Sequence, residues 1–313
     1  MATRLLLPAL LAYLVAAALF LTWGARGDWG FVLAFRGEKL AALTLVAAAV
    51  AISTIVFQTI TANRILTPSI MGFDALYLLI QTGLVFALSG VGAVSLDPLV
   101  KFGAETALML AAALALFSIV LRGAGDLNRM VLTGIIIGVV FRSVTGLMNR
   151  MMDPSEFTMI QSATFARFNA VDTRLLWIAA LVTLAAAAAL MARARELDVL
   201  SLGRDAAINL GVDHDRAAKR LLLLVSLLVS VSTALVGPVV FFGLLVSALT
   251  HRIAGTFRHD VLLPLSALLA AVILVASQTL FERVLGLQTS VSVVIEALGG
   301  IVFIYLILKR PVR

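Results

Sequence analysis

The side chains most able to do chemistry in this sequence are charges placed inside long apolar stretches. Glu105, Arg142 and Glu296 are the clearest of them. A charge in hydrocarbon is costly, so such residues usually face the interior of a helix bundle or a water-filled pathway. Their opposite signs allow Arg142 to pair with Glu105 or Glu296 as a structural lock, because buried charges are usually paired. The alternative is that they contact a charged solute along a pathway.

Motifs for other kinds of chemistry are absent from the sequence. It contains no GxxxxGK(S/T) phosphate-binding loop, no HExxH and no GxSxG, which argues against a nucleotide site and against a hydrolase. Its histidines, His214, His251 and His259, lack metal-ligand spacing, and we expect them to be solvated loop residues. There is no cysteine to form a thiolate site. The sequence therefore predicts a chain that is not an enzyme, binds no metal or cofactor, and needs an outside energy source for any uphill transport.

The elements that hold these charges are predicted to be membrane helices. Hydrophobic residues make up 62% of the 313 residues and charged residues only 13%, which is more apolar surface than a soluble protein of this size can bury. A membrane span needs roughly 20 apolar residues, so the apolar runs predict an all-α polytopic membrane protein with about ten transmembrane helices. We expect a single transmembrane domain over residues 1–313, in contact with membrane lipid.

Basic residues predict the orientation of these helices. Arg193 and Arg195 precede the polar segment 196–220, and Lys219 and Arg220 close it. The positive-inside rule places that segment in the cytoplasm. Basic residues near both ends of the chain predict that both termini are cytoplasmic too. Because cytoplasmic loops explain the net charge of +7, no nucleic-acid partner is expected.

Segment 196–220 is a polar island whose pattern predicts two short helices. Apolar residues follow Asp198, Gly203 then interrupts, and a second short helical pattern stops at Gly211. Glycine is a common residue at helix ends. We therefore expect the two helices within about residues 197–213, with an ordinary amphipathic loop packed on its own bundle as the alternative.

Four segments, in order along the chain, carry a resemblance to a known family. They are Arg36 to Lys39, Phe57-Gln58 with Asn63 to Gly72, Leu202 to Val212, and Gly237-Pro238 with Phe241 to Leu244. The chain resembles the permease subunits of the iron-siderophore and vitamin B12 (FecCD-type) ABC importers, and is more similar to the ferric siderophore branch. It departs from the family pattern after Gly243 and at residues 161–168 and 288–292, which leaves the cargo open.

The resemblance implies a fold, a function and partners. The fold is the type II ABC importer permease fold in the bacterial inner membrane. The partners are a second permease subunit, identical or not, two ATPase subunits that hold ATP and Mg, and a periplasmic solute-binding protein. The implied function is import of a ferric siderophore from periplasm to cytoplasm, with vitamin B12 or haem as alternative cargoes. An ion-coupled secondary transporter is the other class, in which Asp74, Glu105 or Glu296 would be proton sites.

The resemblance also assigns the polar island to contact with the ATPase subunits. Its small residues would allow close packing into a cleft of the partner, and its charged residues could fix the register. The predicted docking residues are Leu202, Gly203, Arg204, Asp205, Ala206, Ala207, Leu210, Gly211 and Val212.

Two further groups of site residues follow from the same resemblance. Arg36 and Lys39 stand where the family contacts its binding protein, with anchoring of a helix end as the alternative. A cytoplasmic gate would be formed by residues of two loops, although asparagines also form turns and caps. The predicted gate residues are Asn63, Ile65, Leu127 and Asn128.

Overall fold

The computed structural model describes residues 2–25, 28–122, 127–168, 171–283, 286, 295, 297, 299–301 and 304. The secondary structure in this part of the chain is helical, which confirms the predicted all-α class. The helices up to residue 283 are α1 (Ala2–Thr22), α2 (Trp29–Ile60), α3 (Phe73–Ser95), α4 (Pro98–Arg122), α5 (Leu127–Met151), α6 (Pro154–Ala163), α7 (Thr173–Ala192), α8 (Ala194–Leu200), α9 (Arg204–Asn209), α10 (His214–Val236), α11 (Phe242–Ala254) and α12 (His259–Arg283).

Within the described residues, seven helices are long and apolar enough to cross a membrane: α1, α2, α4, α5, α7, α10 and α12. Two shorter apolar stretches, Phe73–Leu88 in α3 and Phe242–Ala254 in α11, accompany them. The last predicted span falls beyond α12, where only scattered residues are described. The polytopic class is therefore confirmed, whereas the predicted number of about ten membrane helices is not.

The second helix begins earlier than the sequence pattern predicts. The apolar run from about Leu40 predicts a second span that starts there, after an outer segment over residues 24–37, but α2 runs without a break from Trp29. Asp28 explains this start, because its side chain accepts a hydrogen bond from a backbone N–H of the first turn and so caps the helix. As a result, Arg36 and Lys39 lie within a helix and not ahead of one.

The core of the bundle is built around α2. In the segment of α2 that could span a membrane, 67% of the residues are buried, compared with 17% in the corresponding segment of α5. Leu43, Ile55 and Phe57 of α2 are completely buried. The exposed apolar side chains of α5 include Leu132 and Leu147, and a continuous apolar surface of this kind needs lipid or another protein to cover it.

Glycines allow α5 to approach the loop between α2 and α3 closely. Gly72, which precedes α3, has a φ of +98°, in the left-handed region that favours glycine. A Cβ atom on Gly72 would lie 2.9 Å from the Cα of Gly138 in α5. A Cβ on Gly134, one turn earlier, would clash with the side chain of Met71. The end of this loop is thus held directly against α5.

Candidate functional site

The polar island forms two short helices, and a glycine separates them. α8 ends at Leu200 and α9 begins at Arg204. Gly203 between them has a φ of +97°, and Gly211 after α9 has a φ of +84°. Both backbone conformations favour glycine, which is why the sequence breaks the helix at these two positions. We call α8 and α9 together the helical pair.

The outer surface of the helical pair carries three exposed apolar side chains. Leu202, Ile208 and Leu210 expose 62%, 51% and 60% of their surface. Arg204 and Asp205, which flank them, are exposed as well. Exposed apolar residues rimmed by polar ones mark surfaces that bind proteins or membranes. We call Leu202, Ile208 and Leu210 the apolar tip.

The small residues of the helical pair differ in their surroundings. Space is open at Gly203 and Gly211, where an added Cβ would meet no atom within 4 Å. Ala206 and Val212 are half-buried, and Ala207 is completely buried in the main core cluster. The small side chain of Ala207 therefore packs within the chain itself. We had expected it to allow close packing against a partner subunit.

Ion pairs tie the helical pair to α10. A guanidinium nitrogen of Arg204 lies 3.0 Å from a carboxylate oxygen of Asp215, and Arg220 lies 3.0 Å from Glu196. Solvent reaches both pairs, so each contributes at most about 1 kcal/mol. These contacts orient the helical pair but hold it weakly.

A chain of hydrogen bonds around one buried histidine ties α8 to α12 and α2. His259 Nδ1 lies 2.7 Å from Asp198 Oδ1, which also accepts a hydrogen bond from the backbone N–H of His259 at 2.8 Å. His259 Nε2 lies 2.7 Å from Thr59 Oγ1. Only 2% of the surface of His259 is exposed. Our expectation of a solvated loop histidine is wrong here, because His259 begins α12 and packs between α8 and α2.

A cavity of about 340 Å³ opens between the helical pair and the loop over residues 61–72. Its lining includes Thr59, Arg64, Leu202 and Phe257. The Arg64 guanidinium carbon lies 5.5 Å from the centre of the Phe257 ring, which is a cation–π distance. The loop and the helical pair therefore share one surface at this end of the bundle.

Two of the predicted gate residues lie in the loop over residues 61–72. The side-chain oxygen of Asn63 accepts a hydrogen bond from the backbone N–H of Ile65 at 3.0 Å, which is the turn-forming role considered as the alternative. Ile65 is half-buried. Leu127 and Asn128 fall in the first turn of α5, and their side chains lie outside the described part of the structure. The gate role of these residues stays a prediction.

Arg36 and Lys39 make contacts within the chain. Arg36 is buried, and its guanidinium donates hydrogen bonds of 2.8 to 3.3 Å to the end of α1. Lys39 forms an ion pair with Glu282 of α12. The last carbonyls of a helix lack partners within it, so Arg36 caps α1. Its four acceptors are the carbonyls of Phe20, Leu21, Trp23 and Gly24. These contacts match the alternative of anchoring a helix end, and contact with a binding protein stays a prediction.

Glu105 lies beside a cavity at the opposite end of the bundle. It is 2% exposed, and its Oε1 accepts a hydrogen bond of 2.6 Å from Gln81 Nε2. Lys101 Nζ is 3.9 Å away. Glu105, Lys101, Tyr77 and Arg167 line the cavity, whose volume is about 260 Å³. The arrangement places one negative and two positive groups around a space large enough for several water molecules.

The predicted pairing of Arg142 with Glu105 is wrong. Glu105 contacts Gln81 and Lys101, whereas Arg142 lies on the exposed side of α5. Arg142 instead interacts electrostatically with Asp74 in α3. The second possible partner, Glu296, lies outside the described residues. The two helices turn these charges in different directions, which the apolar pattern of each helix could not reveal.

Sequence reasoning missed three residues of this site: Thr59, Ile208 and His259. Ile208 was detectable as an apolar residue in a polar segment. His259 stands at the start of an apolar run with Asp260 in the first helical turn, which is the pattern of a helix start. No spacing rule connects it with Asp198, which lies 61 positions earlier.

Fold and site together define the class of protein. The bundle contains apolar helices long enough to cross a membrane, and a short helical pair with an exposed apolar tip lies at one end of it. No group of three or more histidine, aspartate or glutamate side chains that could hold a metal ion occurs among the described residues. This is a polytopic membrane protein of the permease class.

The chain belongs to the FecCD transport family, whose profile matches residues 6–309. This confirms the resemblance seen in the sequence. Members of the family are permease subunits of ABC transporters and are not themselves enzymes.

Known relatives cover most of the chain. The petrobactin import system permease protein YclO of Bacillus subtilis (strain 168) is 42% identical over 298 residues, which is 95% of this chain and 94% of that protein. The petrobactin import system permease protein FatC of Bacillus anthracis is 35% identical over 283 residues, covering 90% and 80%. The cobalamin import system permease protein BtuC of Halobacterium salinarum is 29% identical over 276 residues, covering 86% and 70%.

A solved structure shares the fold. It is a metal-chelate type ABC transporter in an inward-facing conformation, with a TM-score of 0.86 over 99% of this chain and 100% of that one. The sequence identity is 19%. The match therefore concerns the fold alone.

Proposed function

We propose that this chain is the membrane permease subunit of an ATP-driven importer that moves a ferric siderophore from the periplasm to the cytoplasm. The observation that carries the proposal is 42% identity, over nearly the whole chain, to a petrobactin import permease. A second petrobactin import permease is 35% identical, whereas the cobalamin permease is 29% identical. The cargo is thus a siderophore of the petrobactin class, in preference to vitamin B12 or haem.

The helical pair is the docking element for the ATPase subunits in this proposal. ATP and Mg are bound by those subunits and not by this chain. Support comes from the apolar tip, because its three exposed side chains project from one end of the bundle, where a protein would cover them. Gly203 and Gly211 leave open space beside the tip, which permits close approach of a partner. The helical pair would then lie in the cytoplasm.

A second permease subunit covers α5 in the assembled importer. Arg142 lies exposed on an apolar helix, and a charge in that position needs protein or a water-filled pathway around it. Lipid cannot hydrogen-bond the exposed guanidinium, which Asp74 attracts from within the chain. An interface between two permease subunits, with the pathway at its centre, would surround Arg142 with protein and with water.

An ion-coupled secondary transporter is the second candidate function. The cavity beside Glu105 favours it, since a buried carboxylate next to a space for water is a suitable proton site. The two functions differ in their source of energy, and so one assay separates them.

Uptake into proteoliposomes tests the proposal. The permease would be reconstituted with its ATPase and binding protein, and uptake of ferric petrobactin would be measured with ATP inside the vesicles. We expect uptake that needs both ATP and the ATPase, and that an excess of cobalamin does not inhibit. Uptake that survives without the ATPase, is driven by a proton gradient and is lost in Glu105→Gln would establish the second candidate instead.

A further inference from the structure

The hydrogen bonds around the buried His259 ring form a continuous path from the helical pair to the loop over residues 61–72. The path starts at Asp198 in α8, passes through His259 at the start of α12, and reaches Thr59 near the end of α2. The loop begins directly after this end of α2. Three helices that are distant in the sequence therefore meet at one imidazole ring.

The donors and acceptors of this path fix the position of the ring. A carboxylate can only accept, so His259 Nδ1 carries a proton and donates it to Asp198. In the neutral ring, Nε2 is then the acceptor for the hydroxyl of Thr59, whose single proton is shared with the backbone carbonyl of Ile55 2.9 Å away. Both ring nitrogens and the backbone N–H of His259 are thus engaged. The ring itself is buried, whereas Asp198 and Thr59 are half-buried, and Thr59 and His259 line the cavity of about 340 Å³. If α8 moves alone, it must therefore exchange these bonds for bonds to water.

A second set of hydrogen bonds continues the path into the loop. Gln58, next to Thr59, donates from Nε2 to the backbone carbonyl of Arg64 at 2.6 Å and to Ser247 Oγ of α11 at 3.0 Å. The backbone N–H of Asn63 donates to the carbonyl of Gln58 at 3.1 Å. A displacement of the end of α2 therefore moves the first residues of the loop with it.

Apolar packing also holds the helical pair, since Leu197, Leu200 and Ala207 are buried in the main core cluster, whereas its ion pairs are weaker. The ion pairs Arg204–Asp215 and Glu196–Arg220 are reached by solvent, and solvent screens such pairs and lets their long side chains reorient. The bonds of His259 are short and its ring is buried, although 33% of the Asp198 side chain is exposed. Through His259, α8 is thus joined to α12 and α2 by short hydrogen bonds, whereas the polar contacts of the helical pair with α10 are ion pairs that solvent reaches.

We infer that Asp198, His259 and Thr59 act as a mechanical link that transmits movement of the helical pair to the loop over residues 61–72. The inference rests on the proposed function, because it presupposes a partner that moves the helical pair. All three are positioning residues, since they touch neither the cargo nor ATP. Their loss uncouples ATP hydrolysis from transport, and hydrolysis itself continues.

The test measures uptake of ferric petrobactin per ATP hydrolysed, in proteoliposomes containing the complete importer. Asp198→Ala removes the carboxylate, and Thr59→Val removes a single hydroxyl while keeping the shape of the side chain. We expect uptake per ATP to fall by about two- to thirtyfold in both variants, the range found for residues that carry coupling between sites. Asp198→Asn keeps an acceptor for both N–H groups of His259, and we expect it to retain most of the coupling.

Asp260→Ala is the matched control. Asp260 neighbours His259, is exposed, and is paired with Arg258. Its replacement by alanine therefore removes one negative charge, as Asp198→Ala does, but leaves the hydrogen bonds of His259 in place. We expect its uptake per ATP to equal that of the wild type. The amount of ATPase that copurifies with each variant shows whether the complex has assembled.

Two results would overturn the inference. One is unchanged uptake per ATP in Asp198→Ala and Thr59→Val. The other is a parallel loss of uptake, hydrolysis and assembled complex in Thr59→Val, since the hydrogen bonds would then only stabilise the structure and would not transmit movement. A wild-type importer without ATP-dependent uptake would instead remove the proposed function, and this inference with it.

Discussion

Single buried polar residues in this chain hold the ends of helices in place. Arg36 caps the carbonyls at the end of α1, and His259 joins α8 to α2. Glu105 is held by Gln81 next to a cavity. A buried polar group that loses its partner retains its full desolvation penalty, so each of these residues has a measurable effect on stability. Measuring both stability and transport after each residue is substituted therefore distinguishes a structural role from a role in transport.

Arg36→Ala tests whether Arg36 stabilises the permease itself when no binding protein is present. Four carbonyl contacts at the end of α1 would be lost, and unsatisfied buried acceptors cost about 1 to 3 kcal/mol. We expect a lower melting temperature of the purified permease in detergent. Arg174→Ala, which removes an exposed arginine from the first turn of α7, is expected to leave it unchanged. Equal melting of Arg36→Ala and wild type, with weaker binding of the solute-binding protein, would favour the contact role.

Glu105 can be tested by the contrast between two substitutions. Glu105→Gln retains an acceptor for Gln81 Nε2, whereas Glu105→Ala leaves this buried donor without its carboxylate partner. We expect Glu105→Ala to destabilise the protein by about 1 to 3 kcal/mol more than Glu105→Gln, as judged by thermal melting. Identical melting of the two variants would show that the hydrogen bond from Gln81 contributes nothing.

Contacts between elements depend on backbones that approach closely. α5 lies against the end of the loop over residues 61–72 through Gly72 and Gly138. α5 is also the least buried of the candidate membrane spans. The loop is therefore fixed on one side by the end of α2 and on the other by the helix that we place next to the second permease subunit. A change in either neighbour will shift it.

Gly138→Ala tests this contact. The added Cβ would lie 3.1 Å from the Cα of Gly72, so the loop or α5 must move, at a cost of about 1 to 3 kcal/mol. We expect lower thermal stability and reduced uptake. Gly146→Ala is the control in the same helix, because a Cβ there would meet no atom within 4 Å. If both alanine variants behave alike, the close approach has no consequence.

The sequence was sufficient for features that depend on local pattern. The apolar runs predicted the helices, and Gly203 and Gly211 predicted the ends of the short helices of the polar island. The start of α2 was also readable, since Asp28 is a good helix cap. Features that depend on which helix faces which were not readable. The burial of His259 is of this kind, because it results from packing against residues 61 and 200 positions away.

At the scale of the whole molecule, the chain is a permease subunit, and in our proposal it provides a pathway and an attachment point while other subunits supply the energy. Its described helices form a membrane bundle with a stable core around α2 and a poorly covered surface on α5. The apolar tip projects from one end, while the cavity beside Glu105 lies at the other. A movement imposed on the tip would have to cross the bundle to reach that cavity, and the link through His259 provides its first step.

The apolar tip offers the most direct test, because the sequence has no cysteine and a single introduced thiol can be labelled without background. Leu210→Cys would be treated with a maleimide reagent in the permease alone and in the complex with the ATPase subunits. Ser155→Cys, exposed on α6 at the opposite end, is the control. We expect the ATPase to protect Leu210→Cys and not Ser155→Cys. Equal labelling of Leu210→Cys with and without the ATPase would contradict the assignment of the helical pair as the docking element.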